Sequence, residues 1–328
     1  MLEFIHKIQG ETHMKLYFAP MEGITGFVYR NTHREYFGEN CEYYAPFINP
    51  TECEKKSLKE FKDILPQNNL NKPIKVQVLT NSTSHYLSTE SKIKDLGYDE
   101  VNINLGCPSN TVCKKQRGAG FLKDKEALDR FLYEIFEKAS LDITLKTRLG
   151  FSSPDEMYEL MEIYNKYPVK ELIIHPRTRE EFYLGVPHTD VFKNVIKTAK
   201  MPLCYNGNIY SKEDAEYIIK EFPNINSIMI GRGALMNPGI FKELETGTKI
   251  AKEELIGFLH LLCKNYMEIL KSEHYTIGKM KEVLLYVMWM FPNDKKALKS
   301  AKKANTLSAL LDSLNYITEI SPPENNWV

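Results

Sequence analysis

The sequence predicts a (β/α)₈ TIM barrel followed by a small, all-helical C-terminal domain. Three observations carry this expectation. Eight short β-rich runs recur with helical stretches between them, the strand signal vanishes from about Lys249 onward, and the glycine-rich turns sit late in the chain. A doubly wound open sheet also alternates strand and helix, but it normally carries its glycine fingerprint in the first strand–helix turn, which here reads APMEGIT.

The predicted strands are Leu16–Ala19, Glu42–Phe47, Ile74–Leu79, Glu100–Gly106, Ile143–Leu149, Glu171–Pro176, Pro202–Asn206 and Ser227–Gly231. In the fourth, Val101, Ile103 and Leu105 alternate with Asn102 and Asn104, so the asparagines take the opposite face. Between strands, Lys123–Ala139 gathers Leu128, Phe131, Leu132, Ile135 and Phe136 on one helical face, and Pro154–Tyr167 has Pro154 near its start. Four helical stretches then follow: Lys252–Ser272, Ile277–Phe291, Asp294–Ala304 and Thr306–Ile320. The predicted division is an N-terminal extension over 1–13, a barrel over 14–247 and a helical domain over 248–328, bounded by the turn at Gly247 and by Pro292. Met14 is an alternative start.

With 328 residues and 43% hydrophobic content, the chain can bury one large core and a smaller second unit. Lys+Arg and Asp+Glu balance at 43 each, so any basic surface must be local. No apolar run approaches the roughly 18 residues of a membrane span, and the N-terminus lacks a continuous signal-peptide core, so a cytoplasmic protein without membrane attachment is expected. The six cysteines form no Cys-x-x-Cys pair, which argues against a zinc site and against a disulfide framework. Nothing demands more than a monomer.

In a barrel the chemistry gathers at the C-terminal ends of the strands. The first ends in Pro20-Met21-Glu22-Gly23, the third carries Gln77, the fourth ends in Asn104 and Cys107, and the fifth carries Lys146 and Arg148. The sixth ends His175-Pro-Arg177-Thr-Arg179, the seventh Asn206-Gly207-Asn208 and the eighth Gly231-Arg232-Gly233. The last two ends, with a short helix expected near Pro238–Gly239, suit a phosphate, with His175 and Arg232 adding charge or hydrogen bonds; as plain turns they need no ligand. Lys146, inside an apolar strand, must find an accepting partner, and a bound cofactor, a Schiff base or a carboxylate bridge each meets that need. A free thiol has a pKa of about 8.5, so Cys107 is a proton donor near neutrality as well as a latent nucleophile. Cys113 carries no expected role.

Taken together, APMEGITGFVYR (19–30), the Gln77 strand, NINLGCPSNTVCKKQRGAGFL (102–122), KTRLG (146–150), HPRT (175–178), YNGNI (205–209) and MIGRGAL (229–235) resemble the tRNA-dihydrouridine synthases. The resemblance covers residues 16 to 240, and the helical tail suits the family's RNA-binding domain. It implies FMN at the barrel mouth, NADPH as its reductant, and tRNA as substrate, with the C5–C6 double bond of particular uridines reduced. It makes Cys107 the general acid toward C5. Pro20, Met21, Gln77, Lys146, His175, Asn206, Gly207, Gly231 and Arg232 become the cofactor-binding set, and Asn104, Arg148 and Arg177 the substrate-binding set. Pro176 and Asn208 depart from the family's commonest glycine and aspartate.

An extruded uridine requires a grip on RNA beyond the pocket. Between Gly278 and Ala304 stand seven lysines (Lys279, Lys281, Lys295, Lys296, Lys299, Lys302, Lys303) against Glu282 and Asp294. Such a run is a solvated face in most proteins and a phosphate-contacting one given the resemblance, with Arg177 and Arg179 extending it at the rim. The alternatives are an FMN barrel acting on a small molecule, like a dihydroorotate dehydrogenase or ene-reductase, and a non-catalytic RNA-binding barrel.

Overall fold

The computed structural model describes residues 14–50, 61–291 and 294–317. The predicted extension 1–13 and Pro292 lie outside the described residues. Eight parallel strands run in the order β2-β1-β8-β7-β6-β5-β4-β3: β1 Lys15–Phe18, β2 Glu42–Tyr43, β3 Val76–Val78, β4 Glu100–Leu105, β5 Asp142–Gly150, β6 Leu172–Thr178, β7 Leu203–Tyr205 and β8 Ser227–Ile230. Beyond β2, parallel bridges pair Tyr44 with Lys75 and Ile48 with Val78. The Ala45 N–H donates to the Lys75 carbonyl (2.9 Å) and the Ile48 N–H to that of Gln77 (2.8 Å), which carries the ladder from β2 round to β3 and closes the barrel.

Because both faces of every strand are covered, the strands read as nearly continuous buried runs. Outward residues such as Val101, Ile103 and Leu105 join the core under the helices. The helix Lys125–Lys138 buries Leu128, Phe131, Leu132 and Ile135 there. Its start is fixed by Asp124, whose carboxylate accepts the Ala127 N–H at 2.9 Å, a cap worth about 1 kcal/mol. Inside the barrel, Tyr17, Ala19, Tyr44, Ile173, Cys204 and Met229 form a separate small cluster. Beside it lies a polar floor, in which Glu171 accepts from the Ser227 hydroxyl (2.6 Å) and the Tyr17 hydroxyl (3.3 Å).

Two helix boundaries differ from expectation. The second C-terminal helix is Glu273–Val287, starting four residues before Ile277, because the Ser272 hydroxyl caps it by accepting the Tyr275 N–H (3.5 Å). After β8 a five-residue helix, Arg232–Met236, precedes Ile240–Thr246, where one short helix near Pro238 was expected. Gly233 permits that extra turn: a Cβ there would stand 1.9 Å from the Ile209 carbonyl oxygen. The first C-terminal helix, Lys252–Leu270, packs on Phe27–Phe37, with Phe258 against Tyr29 and Phe37. Lys295–Lys303 and Leu307–Asp312 complete the helical tail among the described residues.

Candidate functional site

A cleft opens at the C-terminal ends of the strands. Every residue of the expected catalytic, cofactor-binding and substrate-binding sets lines it except Arg177: Cys107, Pro20, Met21, Gln77, Lys146, His175, Asn206, Gly207, Gly231, Arg232, Asn104 and Arg148 all face one space. Residues from β1 to β8 meet there only because the barrel brings their ends together.

Cys107 is held by the end of β4. The Asn104 side-chain oxygen accepts the N–H groups of Gly106 (3.1 Å) and Cys107 (2.9 Å), folding the chain out of the strand. The Asn104 amide donates to Gln77 (2.8 Å), Gln77 to Asn102 (2.7 Å), and Asn102 to the Thr144 hydroxyl (2.9 Å), so the corner rests on a chain of buried amides. The Cys107 carbonyl accepts from the Ala119 N–H (3.0 Å) and the Cys113 thiol (3.5 Å). Cys113 therefore has a supporting place beneath Cys107. The Gly-Ala-Gly run exists for close approach: a Cβ at Gly120 would lie 2.6 Å from the Cys113 Cα, and one at Gly118, where φ is +55°, 2.8 Å from the Cys107 carbonyl oxygen. Burial pushes the Cys107 thiol above the usual thiol range, with the Ser109 backbone N–H opposing it, so the group stays protonated at neutral pH.

Lys146 projects from β5 into the cleft and donates to the Asn206 side-chain oxygen at 2.8 Å. The partner is neutral, and among the described residues no carboxylate forms the bridge to Lys146 that the sequence left open. Burial, reinforced by Arg148, brings the Lys146 ammonium down to about 8. Arg148 is 1% exposed and spends its guanidinium on the carbonyls of Gly106 (2.9 Å), Thr178 (2.9 Å) and Phe182 (2.6 Å), tying the loops after β4 and β6 together.

Arg177 corrects an expectation. It is fully buried rather than at the rim, donating to the carbonyls of Leu184 (2.9 Å) and Gly185 (2.5 Å) and to the Asn208 side chain (3.0 Å). Its remaining contact is His175 Nε2 at 3.1 Å; since a guanidinium only donates, that nitrogen accepts and the ring proton belongs on Nδ1. Burial and the surrounding cations hold His175 far below its ordinary pKa, so it is neutral. Arg179, also expected at the rim, bonds the Asn110 side chain.

At the other end of the cleft, Gly231 backs against Ala19 and Met21, and Arg232 donates to Asn208 (3.3 Å). The Arg232 guanidinium lies 4.8 Å from the Tyr183 ring and 5.7 Å from that of Tyr210. Tyr183, Tyr210 and Phe47 also line the cleft and were not singled out from the sequence, whereas Glu22 and Asn208 were named at strand ends without an assigned role. Tyr183 reaches it from the loop after β6, where no periodicity marks which aromatic turns inward.

The basic tail divides. Lys299, Lys302 and Lys303 are exposed, whereas Lys279 and Lys281 donate to the carbonyls of Gly23 (2.7 Å) and Lys302 (2.9 Å). Beside Cys107, Lys114 and Lys115 are also exposed, in a segment with no carboxylate from Cys107 to Lys123. Among the described residues no cluster suits a metal ion, and no helix is long and apolar enough to cross a membrane.

Comparison with known proteins gives this cleft a family. Among solved structures, histamine dehydrogenase from Rhizobium sp. 4-9 superposes with a TM-score of 0.55 (11% identity, covering 76% of this chain and 49% of that one). The old yellow enzyme from Trypanosoma cruzi gives 0.53 (10% identity, 73% and 90%). At such identity they speak for the barrel alone. By sequence, tRNA-dihydrouridine synthase B of Pasteurella multocida is 28% identical over 209 residues, 61% of this chain and 62% of the relative, so the match spans about three fifths of that protein's length. The tRNA-dihydrouridine(16) synthase of Pseudomonas putida is 27% identical over 228 residues, 67% of this chain and 70% of the relative. The family profile for dihydrouridine synthase (Dus) matches residues 17–319, barrel and C-terminal helices alike, and the chain belongs to that family.

Proposed function

We propose that this chain is a flavin-dependent tRNA-dihydrouridine synthase, an oxidoreductase that reduces the C5–C6 double bond of particular uridines in tRNA, with FMN as its cofactor and NADPH as reductant. One observation carries the proposal. In a chain of the Dus family, a protonated thiol, an ammonium and several amides converge on one cleft at the barrel's C-terminal end.

The donor set suits FMN. Lys146 and Gln77 offer N–H groups to the electron-rich edge of an isoalloxazine, and Met21 offers an apolar surface. Arg232, with the Gly231–Gly233 backbone, His175, Asn206 and Gly207, suits the ribityl chain and phosphate. When bound and reduced, the flavin supplies the hydride that goes to uridine C6. Cys107 then donates its proton to C5, the former π electrons forming the C5–H bond, and the thiolate is reprotonated from solvent. A buried thiol suits this task, because it reaches the reaction still protonated. Asn104 and Arg148 line the space beside Cys107 where a uracil edge would lie, Arg148 by shaping the loops there. Arg177 acts through His175.

Dividing the chain at residues 247 and 248 gives a catalytic barrel and a helical tRNA-binding domain. Lys299, Lys302, Lys303, Lys114 and Lys115 are the exposed cations fitted to phosphate, and a tRNA substrate places the enzyme in the cytoplasm. The protein purified with its flavin is incubated with NADPH and tRNA lacking dihydrouridine. Conversion of uridine at defined positions, read by mass spectrometry of tRNA fragments, is the expected outcome. A flavoprotein that oxidises NADPH with a small enone or orotate and leaves tRNA untouched would overturn the proposal.

A further inference from the structure

The turn after β1 has two sides. On its inner side, Pro20, Met21 and Glu22 line the cleft, and Met21 meets Gly231 across the wall, its sulfur 3.4 Å from where a Gly231 Cβ would stand. The turn is closed by the N–H groups of Ile24 and Thr25, both donating to the Met21 carbonyl at 3.0 Å, and by the Met21 N–H donating to the Thr25 hydroxyl at 2.8 Å. Those bonds leave the carbonyls of Gly23 and Ile24 pointing outward, and Gly23 takes φ +80° to aim the first of them.

On the outer side, both carbonyls are met by the C-terminal helices. Lys279 Nζ donates to the Gly23 carbonyl at 2.7 Å, and the Tyr266 hydroxyl donates to that of Ile24 at 3.4 Å. Lys279 is steadied by Glu282, three residues on, at 2.9 Å. Tyr266 is buried, and burial keeps its hydroxyl a neutral donor. The helix bearing Lys279, Glu273–Val287, also packs against Arg232–Met236, the helix that opens with the cleft's own arginine. Tyr286, two turns beyond Lys279 and so on the same face, lies within electrostatic range of Arg232 and Tyr183. One helix thus braces both halves of the wall, the β1 turn and the β8 turn.

We propose that Lys279 and Tyr266 are positioning residues: by holding the Gly23 and Ile24 carbonyls, the C-terminal helices set the β1 wall of the cofactor cleft. Resting on the flavin reading of that cleft, this takes Lys279 out of the phosphate-contacting set that the basic run suggests. The helical tail is then a brace for the cofactor as well as a surface for RNA, and the two tasks share one helix.

The test uses the full chain carrying its flavin, with Lys279→Met, Lys279→Arg and Tyr266→Phe. Two quantities are read: backbone hydrogen exchange of peptides spanning residues 20–26, and the rate at which flavin fluorescence appears on dilution. Losing one charged hydrogen bond from a partly exposed site predicts faster exchange and faster flavin release, each by roughly three- to tenfold in K279M. K279R, which keeps a donor and its charge, stays within about twofold of wild type on the same grounds. Y266F, which deletes a single oxygen, moves both quantities in the direction of K279M. Unchanged exchange over 20–26 in K279M overturns the brace, and faster exchange with unchanged flavin release overturns its link to the cofactor. A K279M protein that keeps its flavin but binds tRNA with a shallower salt dependence makes Lys279 a phosphate contact and equally overturns the proposal. Exchange needs no bound flavin, so a chain that takes up none would sink the functional reading while this measurement still decides the contact.

Discussion

Cys107, proposed here as the acid, shows how an environment can favour one role for a side chain that could fill two. A nucleophilic cysteine is made by a neighbouring cation or a helix N-terminus that draws the thiolate down; here burial is the largest influence and acts the other way. The sign follows directly: a proposed acid works while protonated, so raising its pKa extends activity toward higher pH. Iodoacetamide alkylation of Cys107, followed by peptide mass spectrometry across a pH series, is expected to show a midpoint above the ordinary thiol value of about 8.5. A midpoint below that value would make Cys107 a nucleophile-like thiol. At this scale the sequence was readable for most residues that stand on a strand, since period two and the barrel rule together send Gln77, Asn104, Lys146 and His175 to the cleft. Arg177 escaped that logic. It follows His175 by two residues on the same strand, yet its long side chain turns away to Leu184 and Gly185, carbonyls of a loop whose path no pattern announces.

At the scale of the element, the segment from Asn102 to Leu122 is one device with two supports. From below, the amide chain from Thr144 to Asn104 fixes the corner; from behind, the turn Gly118–Lys123 docks against Cys107 and Cys113. Glycine at position 120 is a packing requirement, since any Cβ would press on the Cys113 backbone. Gly120→Ala is expected to cost about 1–3 kcal/mol of stability, the range for overpacking a tight contact, and to slow uridine reduction through displacement of Cys107. A shift of the urea midpoint at unchanged m-value checks the first part. The dense motif was plain in the sequence, but its division of labour was not: the glycines of the Gly-Ala-Gly run serve the loop itself. The extra helix Arg232–Met236 was hidden for a similar reason, because it depends on Gly233 meeting the Ile209 carbonyl from the loop after β7.

For the whole molecule, the barrel and the helical tail were both legible, because eight strand signals followed by none leaves few architectures. What the sequence could not convey is how the two parts meet. The lysine run looked like one surface, yet Lys279 and Lys281 face their own protein while Lys299, Lys302 and Lys303 face solvent. Replacing those three by alanine is expected to lower tRNA affinity and to reduce the slope of log K against log salt by about 2–3, each phosphate contact contributing roughly 0.7–0.9. Flavin content, measured by absorbance, checks that the fold is kept. The most direct test of the central claim compares wild type with Cys107→Ala in a single assay, following flavin reduction by NADPH and dihydrouridine formed in tRNA. The variant is expected to bind flavin and reduce it as wild type does while forming almost no dihydrouridine; dihydrouridine made at the wild-type rate would contradict the assignment of Cys107 as the acid.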